Sequence, residues 1–459
     1  MGHPTGVTSV TNIRSDPGDR VRQPGADTQG ATHLGGDVAS AEATKSSKVD
    51  VPEVRPSRIE GGRVHEGNRQ LPVTGAWRPG DPEGHRQFLQ LPERRPFVLE
   101  GGGQLRGVTV AYETWGELDP AGANAVLVCH AITGDSHVTG RQGPGHPTDG
   151  WWDEMVGPGR PIDTDRYFVV CVNILGGCQG TTGPSSIDPA TGAPYAAAFP
   201  VVTIRDIVRT QAAVADELGI PRWLAVVGGS MGGMQVLEWG VMYPLRVRSL
   251  IPLATTSAAS AWQISFSRVG RLAVQLDPKW RGGDYYDADP GDGPHAGLAL
   301  ARMIAHITYR SDQVYESRFG RDSLEVLEDF LDQRFEVEGY LDYQGEKFVR
   351  RFDANSYLRL NKAMDLHDVG RSRGGTRRAL SRIQVPTLNV SISSDTLYPC
   401  HQQEAIHEAV LAGGADSRHV VLDSPHGHDG FLIETGAVGA VVGDFLTEIE
   451  KSNGAIDHA

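Results

Sequence analysis

A serine flanked by small residues follows an apolar run, and this pattern constrains the fold more than any other in the chain. Trp223–Val227 predicts a buried strand, and the next residues place Gly228, Ser230 and Gly232 in a Gly-x-Ser-x-Gly arrangement. Glycine on both sides allows a strand-to-helix turn that is too tight for side chains. Because Met234–Trp239 predicts a helix, the serine is expected to project from the carboxyl end of a strand. Similar turns also occur without a catalytic role.

A base and an orienting acid are expected downstream of such a serine, in the order serine, acid, histidine. Val385–Ser393 predicts a buried strand, and Asp395 follows its carboxyl end, where parallel sheets place catalytic groups. The loop after the next predicted strand carries His426 and His428, and either histidine is a candidate base. The pattern therefore predicts a catalytic triad that begins at Ser230.

Two backbone amides are candidates for an oxyanion hole. The strand predicted at Ala125–His130 leads into a loop in which Ile132 has the position of one amide donor, and Met231 after the serine supplies the other. A main-chain amide donor cannot be recognised from the type of its side chain, so Ile132 is assigned by position alone. An ordinary exit from strand to loop is the alternative interpretation of that residue.

Strand and helix patterns alternate along most of the chain, which favours a mostly parallel sheet of the α/β class. Between about residues 257 and 382, strand-like runs vanish and apolar residues recur at helical spacing. Examples of that spacing are Leu324, Leu327, Phe330 and Leu331. We therefore predict a catalytic domain formed by residues 93–256 and 383–459, with a helical lid inserted at 257–382.

Residues 1–92 are rich in glycine, proline, serine, threonine and aspartate, poor in aromatic residues and without periodicity. Such a segment cannot bury enough apolar surface to offset the entropy that it loses on ordering. We predict a largely disordered N-terminal extension. Removal of residues 2–90 is then expected to leave the reaction rate nearly unchanged.

Six blocks of sequence, in the same order, resemble the homoserine O-acetyltransferase family of the alpha/beta-hydrolase superfamily. They are HAITGD from His130, NILGGCQGTTGPSS from Asn173, GGSMGGMQVLEW from Gly228, GLALARMIAHITYRS from Gly297, SDTLYP from Ser394 and GHDGFL from Gly427. The resemblance covers roughly residues 95–450. It implies an alpha/beta-hydrolase fold and favours His428 over His426 as the base.

The resemblance implies transfer of an acetyl group from acetyl-CoA to the hydroxyl of L-homoserine, a step towards methionine, by a ping-pong mechanism. It implies a triad of Ser230, Asp395 and His428, with the acetyl group carried on the serine. It also implies that Asp429 receives the amino group of homoserine and that Arg302 binds its carboxylate by paired donors. Finally, it implies that the lid helices form a homodimer interface.

Several alternatives remain beside this interpretation. Arg310 lies eight residues after Arg302 and is a second candidate for the carboxylate. A capping role for Asp429 and a surface position for Arg302 are the structural alternatives. The same triad would serve a succinyl donor, an L-serine acceptor or a serine hydrolase of small esters or thioesters. A fold that only binds, without turnover, is disfavoured because each triad residue is present.

Composition indicates a cytoplasmic enzyme without a tightly bound cofactor or metal. The net charge of −14 disfavours nucleic acid as a partner, and no apolar stretch is long enough to indicate a membrane span. The four cysteines show no metal-ligand spacing, and a reactive role for Cys178 has no nearby base to support it. The phosphates of CoA would require a local cluster of basic residues that the sequence does not locate.

Overall fold

The structure is a computed structural model that describes residues 71–324 and 333–456, with side chains up to residue 452. Its strands are β1 Gln87–Gln90, β2 Phe97–Val98, β3 Gln104–Leu105, β4 Thr109–Trp115, β5 Ala125–Cys129, β6 Val156–Gly157, β7 Ile162–Asp163, β8 Phe168–Val172, β9 Ala225–Gly229, β10 Leu250–Leu253, β11 Thr387–Ile392 and β12 Ser417–Leu422. Its helices are α1 Ile204–Glu217, α2 Met231–Met242, α3 Ala261–Leu276, α4 His295–Tyr309, α5 Asp312–Arg318, α6 Glu336–Val349, α7 Ala354–Asp365, α8 Thr376–Leu380, α9 Cys400–Ala412, α10 Gly430–Ile433 and α11 Thr435–Ile456. The helical spacing predicted at Leu327, Phe330 and Leu331 lies outside the described residues.

Eight of the strands form one sheet, in the order β1-β4-β8-β5-β9-β10-β11-β12. β1 is antiparallel to β4, and β4 is antiparallel to β8. Every neighbouring pair from β8 to β12 is parallel. The mostly parallel sheet predicted from the alternating pattern is therefore confirmed.

The central strands are buried because helices cover both faces of the sheet. β5 and β9 are buried along their whole length. In β9, Val226 packs into one hydrophobic core and Val227 into the other, as expected for neighbours that point to opposite faces. If the register of β9 shifted by one residue, the side chains that face one core would face the other. Burial on both faces therefore fixes the register of β9 and the position at which the strand ends before Ser230.

The connection from β10 to β11 contains helices α3 to α8 and no strand within its described part, and the lid predicted at residues 257–382 falls in this connection. α3 packs against α4 and α7, and α4 packs against α6. Ser260 caps α3 and Asp353 caps α7, each by accepting a main-chain hydrogen bond in the first turn. Contacts from Arg302 and Arg351 to the loop after β5 hold the lid at the carboxyl end of the sheet.

The predicted boundary of the N-terminal extension at residue 92 is wrong, because residues 71–92 pack against the catalytic domain. β1 pairs with β4 at the edge of the sheet. Val73 is buried, and Thr74 donates a hydrogen bond of 2.8 Å to Asp353. These contacts depend on single side chains without helical or strand periodicity, so the sequence pattern gives no sign of them. Residues 1–70, which make up most of the predicted extension, lie outside the described residues.

Two N-terminal truncations test whether the packed segment contributes to stability and the residues before it do not. Removal of residues 2–68 is expected to leave the melting temperature and reaction rate unchanged, as the composition of that segment suggests. Removal of residues 2–90 is expected to lower both, because it deletes β1 and the buried contacts around Thr74, at a cost of about 3 kcal/mol or more in unfolding free energy. Calorimetry and initial rates measure the difference, and equal melting temperatures would contradict the packing role of residues 71–90.

No single described helix is long and apolar enough to cross a bilayer. One bent pair, Gly427–Ile433 with Thr435–Ser452, meets the length and composition test when taken together across a 64° bend. Val438, Val442 and Leu446 of that pair are completely buried in the core next to the sheet. Their apolar character is thus accounted for by packing.

Candidate active site

Ser230 occupies a strained turn between β9 and α2. Its backbone has φ 58° and ψ −124°, a conformation that residues other than glycine rarely adopt. The turn is held by a main-chain hydrogen bond of 3.0 Å from Ser230 to Leu253 and by the Thr255 hydroxyl, which donates to the Ser230 carbonyl at 2.7 Å. The serine side chain is therefore presented at the carboxyl end of the sheet, as the sequence predicts.

The glycines of the Gly-x-Ser-x-Gly pattern are required by the end of β5. A Cβ atom on Gly232 would lie 2.1 Å from the Cys129 carbonyl oxygen, and one on Gly228 would lie 2.6 Å from the same atom. A side chain at either position would therefore separate the turn from the neighbouring strand. A Cβ atom on Gly229 would lie 2.3 Å from the Phe431 ring, so a side chain has no room there either.

His428 and Asp395 form a buried pair beside this turn. Nδ1 of His428 lies 2.8 Å from Oδ2 of Asp395, and the two side chains are 3% and 0% exposed. Oδ1 of Asp395 accepts hydrogen bonds from the main-chain amides of Leu397 and Tyr398, at 2.9 and 2.8 Å. The carboxylate is thus fixed by main-chain donors, and it fixes the tautomer of the imidazole so that Nε2 is left as the acceptor.

The alternative base, His426, has a different environment. Its Nε2 lies 3.7 Å from Glu434, a partly exposed carboxylate, and its side chain is 16% exposed. Within the described residues it makes no contact with Asp395. The arrangement therefore favours His428 as the base, in agreement with the resemblance on which the choice between the two was made.

Aromatic rings enclose the imidazole of His428. Tyr398 lies 4.8 Å from it between ring centroids, Phe431 5.6 Å and Tyr309 5.8 Å. Burial, with further contributions from Tyr309 and Asp395, raises the pKa of Tyr398, while the neighbouring Ser230 side chain acts in the opposite direction. Ser230 is therefore close to the group of side chains that contains His428 and Asp395.

Tyr398 is a site residue that the sequence interpretation missed. It lies three residues after Asp395, inside the SDTLYP block, and its position in that block is the signal that could have identified it. Its hydroxyl stays protonated because its pKa is raised. It is therefore a neutral neighbour of the serine and not a second base.

The proposed oxyanion donors lie on either side of the serine turn. Met231 is the first residue of α2, and Ile132 lies in the loop that follows β5. Neither main-chain amide donates a hydrogen bond to another described residue. The Gln235 side chain donates to the His130 and Met231 carbonyls, at 3.2 and 3.1 Å, and so ties the loop to α2. Both amides are thus available to a ligand, which is what an oxyanion hole requires.

Two arginines of the lid hold the loop that contains Ile132. Nη2 of Arg351 lies 2.7 Å from Oδ2 of Asp135, and Nη1 of Arg302 donates to the Thr133 hydroxyl at 3.3 Å. Burial on its own would raise the pKa of Asp135, but Arg351, His130 and Arg86 together outweigh it, and the pKa falls below its usual value. The carboxylate therefore stays charged, and a partly buried ion pair connects the lid to the loop.

The structure brings Arg302 and Asp429 close to the histidine but gives them different partners. Oδ2 of Asp429 lies 3.1 Å from Nε of Arg310, so the second carboxylate-binding candidate is already engaged. Arg302 lies 5.0 Å from the Phe348 ring and pairs with no carboxylate in the described residues. Burial lowers its pKa, and Asp429 is near enough to oppose that effect. Arg302 is therefore better placed than Arg310 to receive a ligand carboxylate.

A narrow cleft adjoins the loop after β5. It is lined by His130, Ile132, Gly134, Asn173, Ile174, Gly177, Cys178, Gln179, Phe352 and Leu360. Cys178 is buried there, and burial raises the pKa of its thiol far above the usual value. A thiol in that state is a poor nucleophile, which agrees with the view that Cys178 is not reactive.

A group of buried ionisable side chains away from the serine has the composition of a metal site. Ligand atoms of Glu113, His137 and His146 lie within 4.8 Å of one another. However, the two imidazole rings are stacked at 3.9 Å and 11°, so lone pairs in their planes cannot converge on one ion. Nε2 of His146 also accepts a hydrogen bond from the His85 amide. The arrangement suits a structural cluster, and the absence of a metal stays a prediction.

A family model described as alpha/beta hydrolase fold matches residues 124–435. With the mostly parallel sheet and the serine turn, this makes the protein a member of the alpha/beta hydrolases. A homoserine O-acetyltransferase of Thermobifida fusca (strain YX) is 51% identical over 384 residues, covering 84% of this chain and 100% of the relative. Another from Clavibacter michiganensis subsp. michiganensis is 54% identical and covers 82% and 96%. The chain therefore belongs to the homoserine O-acetyltransferase family of enzymes.

Solved structures share the same architecture. The crystal structure of homoserine O-acetyltransferase from Bacillus anthracis has a TM-score of 0.72 at 29% identity, covering 79% of this chain and 97% of its own. The crystal structure of esterase E22 has a TM-score of 0.71 at 30% identity, covering 79% and 99%. Since a transferase and an esterase are equally similar in shape, the fold alone does not separate the two activities.

Proposed function

We propose that the protein transfers an acetyl group from acetyl-CoA to the hydroxyl of L-homoserine through an acetyl-Ser230 intermediate. The observation that carries the proposal is the buried 2.8 Å contact between His428 and Asp395 beside the strained serine turn. Arg302, which has no carboxylate partner among the described residues, and Asp429 supply opposite charges for an amino-acid acceptor at the same place. The names of the relatives support this choice of donor group and acceptor.

In the first half-reaction, Nε2 of His428 takes the proton of the Ser230 hydroxyl while the serine oxygen attacks the thioester carbonyl. The amides of Ile132 and Met231 stabilise the negative oxygen of the tetrahedral intermediate. The carbon–sulfur bond then breaks, and the CoA thiol leaves with the proton from His428. The enzyme now carries an acetyl ester on Ser230.

In the second half-reaction, the homoserine hydroxyl occupies the place of the departed thiol. His428 removes its proton, and the oxygen attacks the acetyl-serine carbonyl. Collapse of the intermediate releases O-acetyl-L-homoserine and returns the proton to Ser230. Asp395 stabilises the imidazolium in both steps, so one set of groups serves both halves of a ping-pong cycle.

Acceptor selection follows from the charges beside His428. The Asp429 carboxylate would hold the ammonium group of the amino acid and Arg302 its carboxylate, which orients the hydroxyl towards the acetyl-serine. Tyr309, Tyr398 and Phe431 line the same region and reduce the space open to water. These features favour transfer over hydrolysis, although the similarity to esterase E22 keeps hydrolysis as the second candidate.

The test follows free thiol release from acetyl-CoA with and without L-homoserine. Homoserine-dependent release, together with an added acetyl mass on the peptide that contains Ser230 after rapid quenching, is the expected result. Release that is independent of homoserine would instead assign hydrolysis. Parallel reactions with succinyl-CoA and with L-serine separate the rival donor and acceptor. Acetyl-CoA is consumed in the proposed cycle, so it acts as a substrate and not as a tightly bound cofactor.

We further propose that the protein is a cytoplasmic homodimer, joined through the lid, that serves methionine biosynthesis. The surface of α3 supports the dimer, because Trp262, Val269 and Leu276 repeat every seven residues and are 56%, 49% and 77% exposed. Residues seven apart share one helix face, so they form an apolar stripe. Leu300 and Ile307 of the adjoining α4 are exposed as well.

The dimer is tested by placing a charge in this stripe. Val269→Glu is expected to convert the dimer into a monomer at micromolar concentration, because it puts a carboxylate into the centre of an apolar interface. Sedimentation velocity or light scattering measures the mass. Leu411→Glu, on the exposed surface of α9, is the matched control and is expected to remain dimeric. A wild-type protein that is monomeric in this assay would reject the proposal.

A further inference from the structure

A series of hydrogen bonds leads from β12, the last strand of the sheet, to the main chain of Ser230. The Thr255 hydroxyl donates to the Ser230 carbonyl at 2.7 Å, and the side-chain amide of Gln403 donates to the Thr255 carbonyl. The Ser391 hydroxyl donates to Gln403 at 2.9 Å, and Nε2 of His419 lies 2.6 Å from the Ser391 oxygen. Thr255, Ser391 and Gln403 are completely buried, so water does not compete for these bonds.

The donors and acceptors of this series point in one direction. A main-chain carbonyl only accepts, so the Thr255 carbonyl requires the NH2 group of Gln403, and the amide oxygen of Gln403 is then the atom that faces Ser391. The single hydroxyl proton of Ser391 is used on that oxygen. Ser391 therefore accepts from His419, which places a proton on Nε2 of the imidazole. Gln403 is held at both ends of its amide, and its rotation would leave a buried polar group unpaired.

The Ser230 carbonyl accepts hydrogen bonds from two donors. The main-chain amide of Met234 donates to it at 3.2 Å in the first turn of α2, and the Thr255 hydroxyl supplies the second bond. The first bond is part of helix geometry, whereas the second depends on where Thr255 is held. Because Ser230 has φ 58°, its conformation persists only when the surrounding structure holds it. The side chain of Gln403 supplies such a constraint from α9.

We propose that Gln403 is a positioning residue for the nucleophile: it fixes Thr255, and through Thr255 it holds Ser230 in the conformation from which the serine hydroxyl attacks. The inference rests on the proposed function in taking Ser230 as the nucleophile. α9, which carries Gln403, begins five residues after Asp395, so one segment supplies the acid of the triad and supports the serine turn. The amide of Gln403 is neutral and transfers no proton, so its contribution is geometric.

The test measures the rate at which a fluorophosphonate modifies Ser230, because this reaction needs neither the acyl donor nor the acceptor. Gln403→Met keeps the length of the side chain and removes both of its hydrogen-bonding groups. It is expected to slow the modification about tenfold or more and to leave the affinity for CoA unchanged, since a small displacement of the reacting atom lowers the rate. Asn389→Leu is the matched control. Asn389 is a completely buried amide in β11 that bonds to Ser417 and Arg418, so its loss is expected to leave the modification rate unchanged even where the melting temperature falls.

A double-mutant cycle separates action through Thr255 from a general loss of stability. Thr255→Val removes the hydroxyl bond to Ser230 at nearly constant size and is expected to slow the modification by a similar factor. If Gln403 acts through Thr255, Gln403→Met adds little further loss to Thr255→Val, whereas independent effects would multiply. Where Gln403→Met does not fold, the same cycle is run with Ser391→Ala, which frees one end of the Gln403 amide by a smaller change.

The results for Gln403 and for acetyl transfer are read separately. Effects that multiply in the cycle, or modification of Gln403→Met at the wild-type rate, would overturn the positioning role even if the wild type transfers acetyl groups to homoserine. If the modification depends on Gln403 through Thr255 but the wild type transfers no acetyl group, the proposed function fails and the positioning role stands.

Discussion

Ser230→Ala is expected to lower acetyl transfer by about four orders of magnitude or more, because removal of a nucleophile leaves only the contribution of binding and the oxyanion hole. The melting temperature is expected to stay near that of the wild type. Alanine has the same backbone restriction as serine at φ 58°, and the main-chain bond to Leu253 and the Thr255 contact do not involve the side chain. The measurement is the initial rate at saturating acetyl-CoA and L-homoserine.

The control for this variant is its ligand binding. Ser230→Ala retains the clefts and charges around the site, so CoA affinity measured by calorimetry is expected to remain within a few-fold of the wild type. A variant that keeps comparable turnover would reject the serine as the acceptor of the acetyl group. A variant that loses both CoA binding and its melting transition would indicate a folding defect, and Ser230→Cys, which restores a nucleophile of similar size, then provides the second comparison.

His428→Ala is expected to have nearly the same effect, a loss of about four orders of magnitude in kcat, because no other described side chain pairs with Asp395 to act as a base. His426→Ala is expected to be mild. His426 faces Glu434 at 3.7 Å and lies outside the aromatic enclosure of Tyr398, Phe431 and Tyr309. The two variants differ by one histidine in the same loop, so they form a matched pair.

Rapid-quench measurement of acetyl-enzyme gives the sharper readout for this pair. His428→Ala is expected to abolish the burst of acetylated protein, whereas His426→Ala is expected to keep it. The reverse outcome would reassign the base to His426. A third outcome is a reduced burst and an equal loss of melting temperature in both variants. That outcome would show that both histidines stabilise the loop, and it would not identify either of them as the base.

The fold could be predicted because its determinants are local. The strand before Ser230, the glycines around it and the strands before Asp395 and His428 each leave a short pattern that is legible in the sequence, and the sheet confirms their order. The sequence pattern shows that glycines flank Ser230, but it does not show the contact that makes them necessary. Gly228 and Gly232 are needed because the Cys129 carbonyl approaches the turn from the neighbouring strand.

The missed features depend on contacts between residues that are distant in sequence. Arg351 and Asp135 form an ion pair although they are 216 residues apart in the sequence. Thr74 and Asp353 form a hydrogen bond although they are 279 residues apart. Neither pair has a periodicity or spacing that would link its members. Tyr398 was missed for another reason, since an aromatic residue after a buried strand is usually a core residue. The resemblance already implied Arg302, but the alternative of Arg310 stayed open in the sequence because it depends on which arginine Asp429 engages.

The lid arginines have a consequence for attempts to redesign this enzyme. Arg302 reaches Thr133 and Arg351 reaches Asp135, so under the proposed function the part of the lid that would select the acceptor also supports the main chain that would stabilise the tetrahedral intermediate. A library that varies α4 or the end of α6 to admit a new alcohol would therefore alter turnover for every alcohol at once.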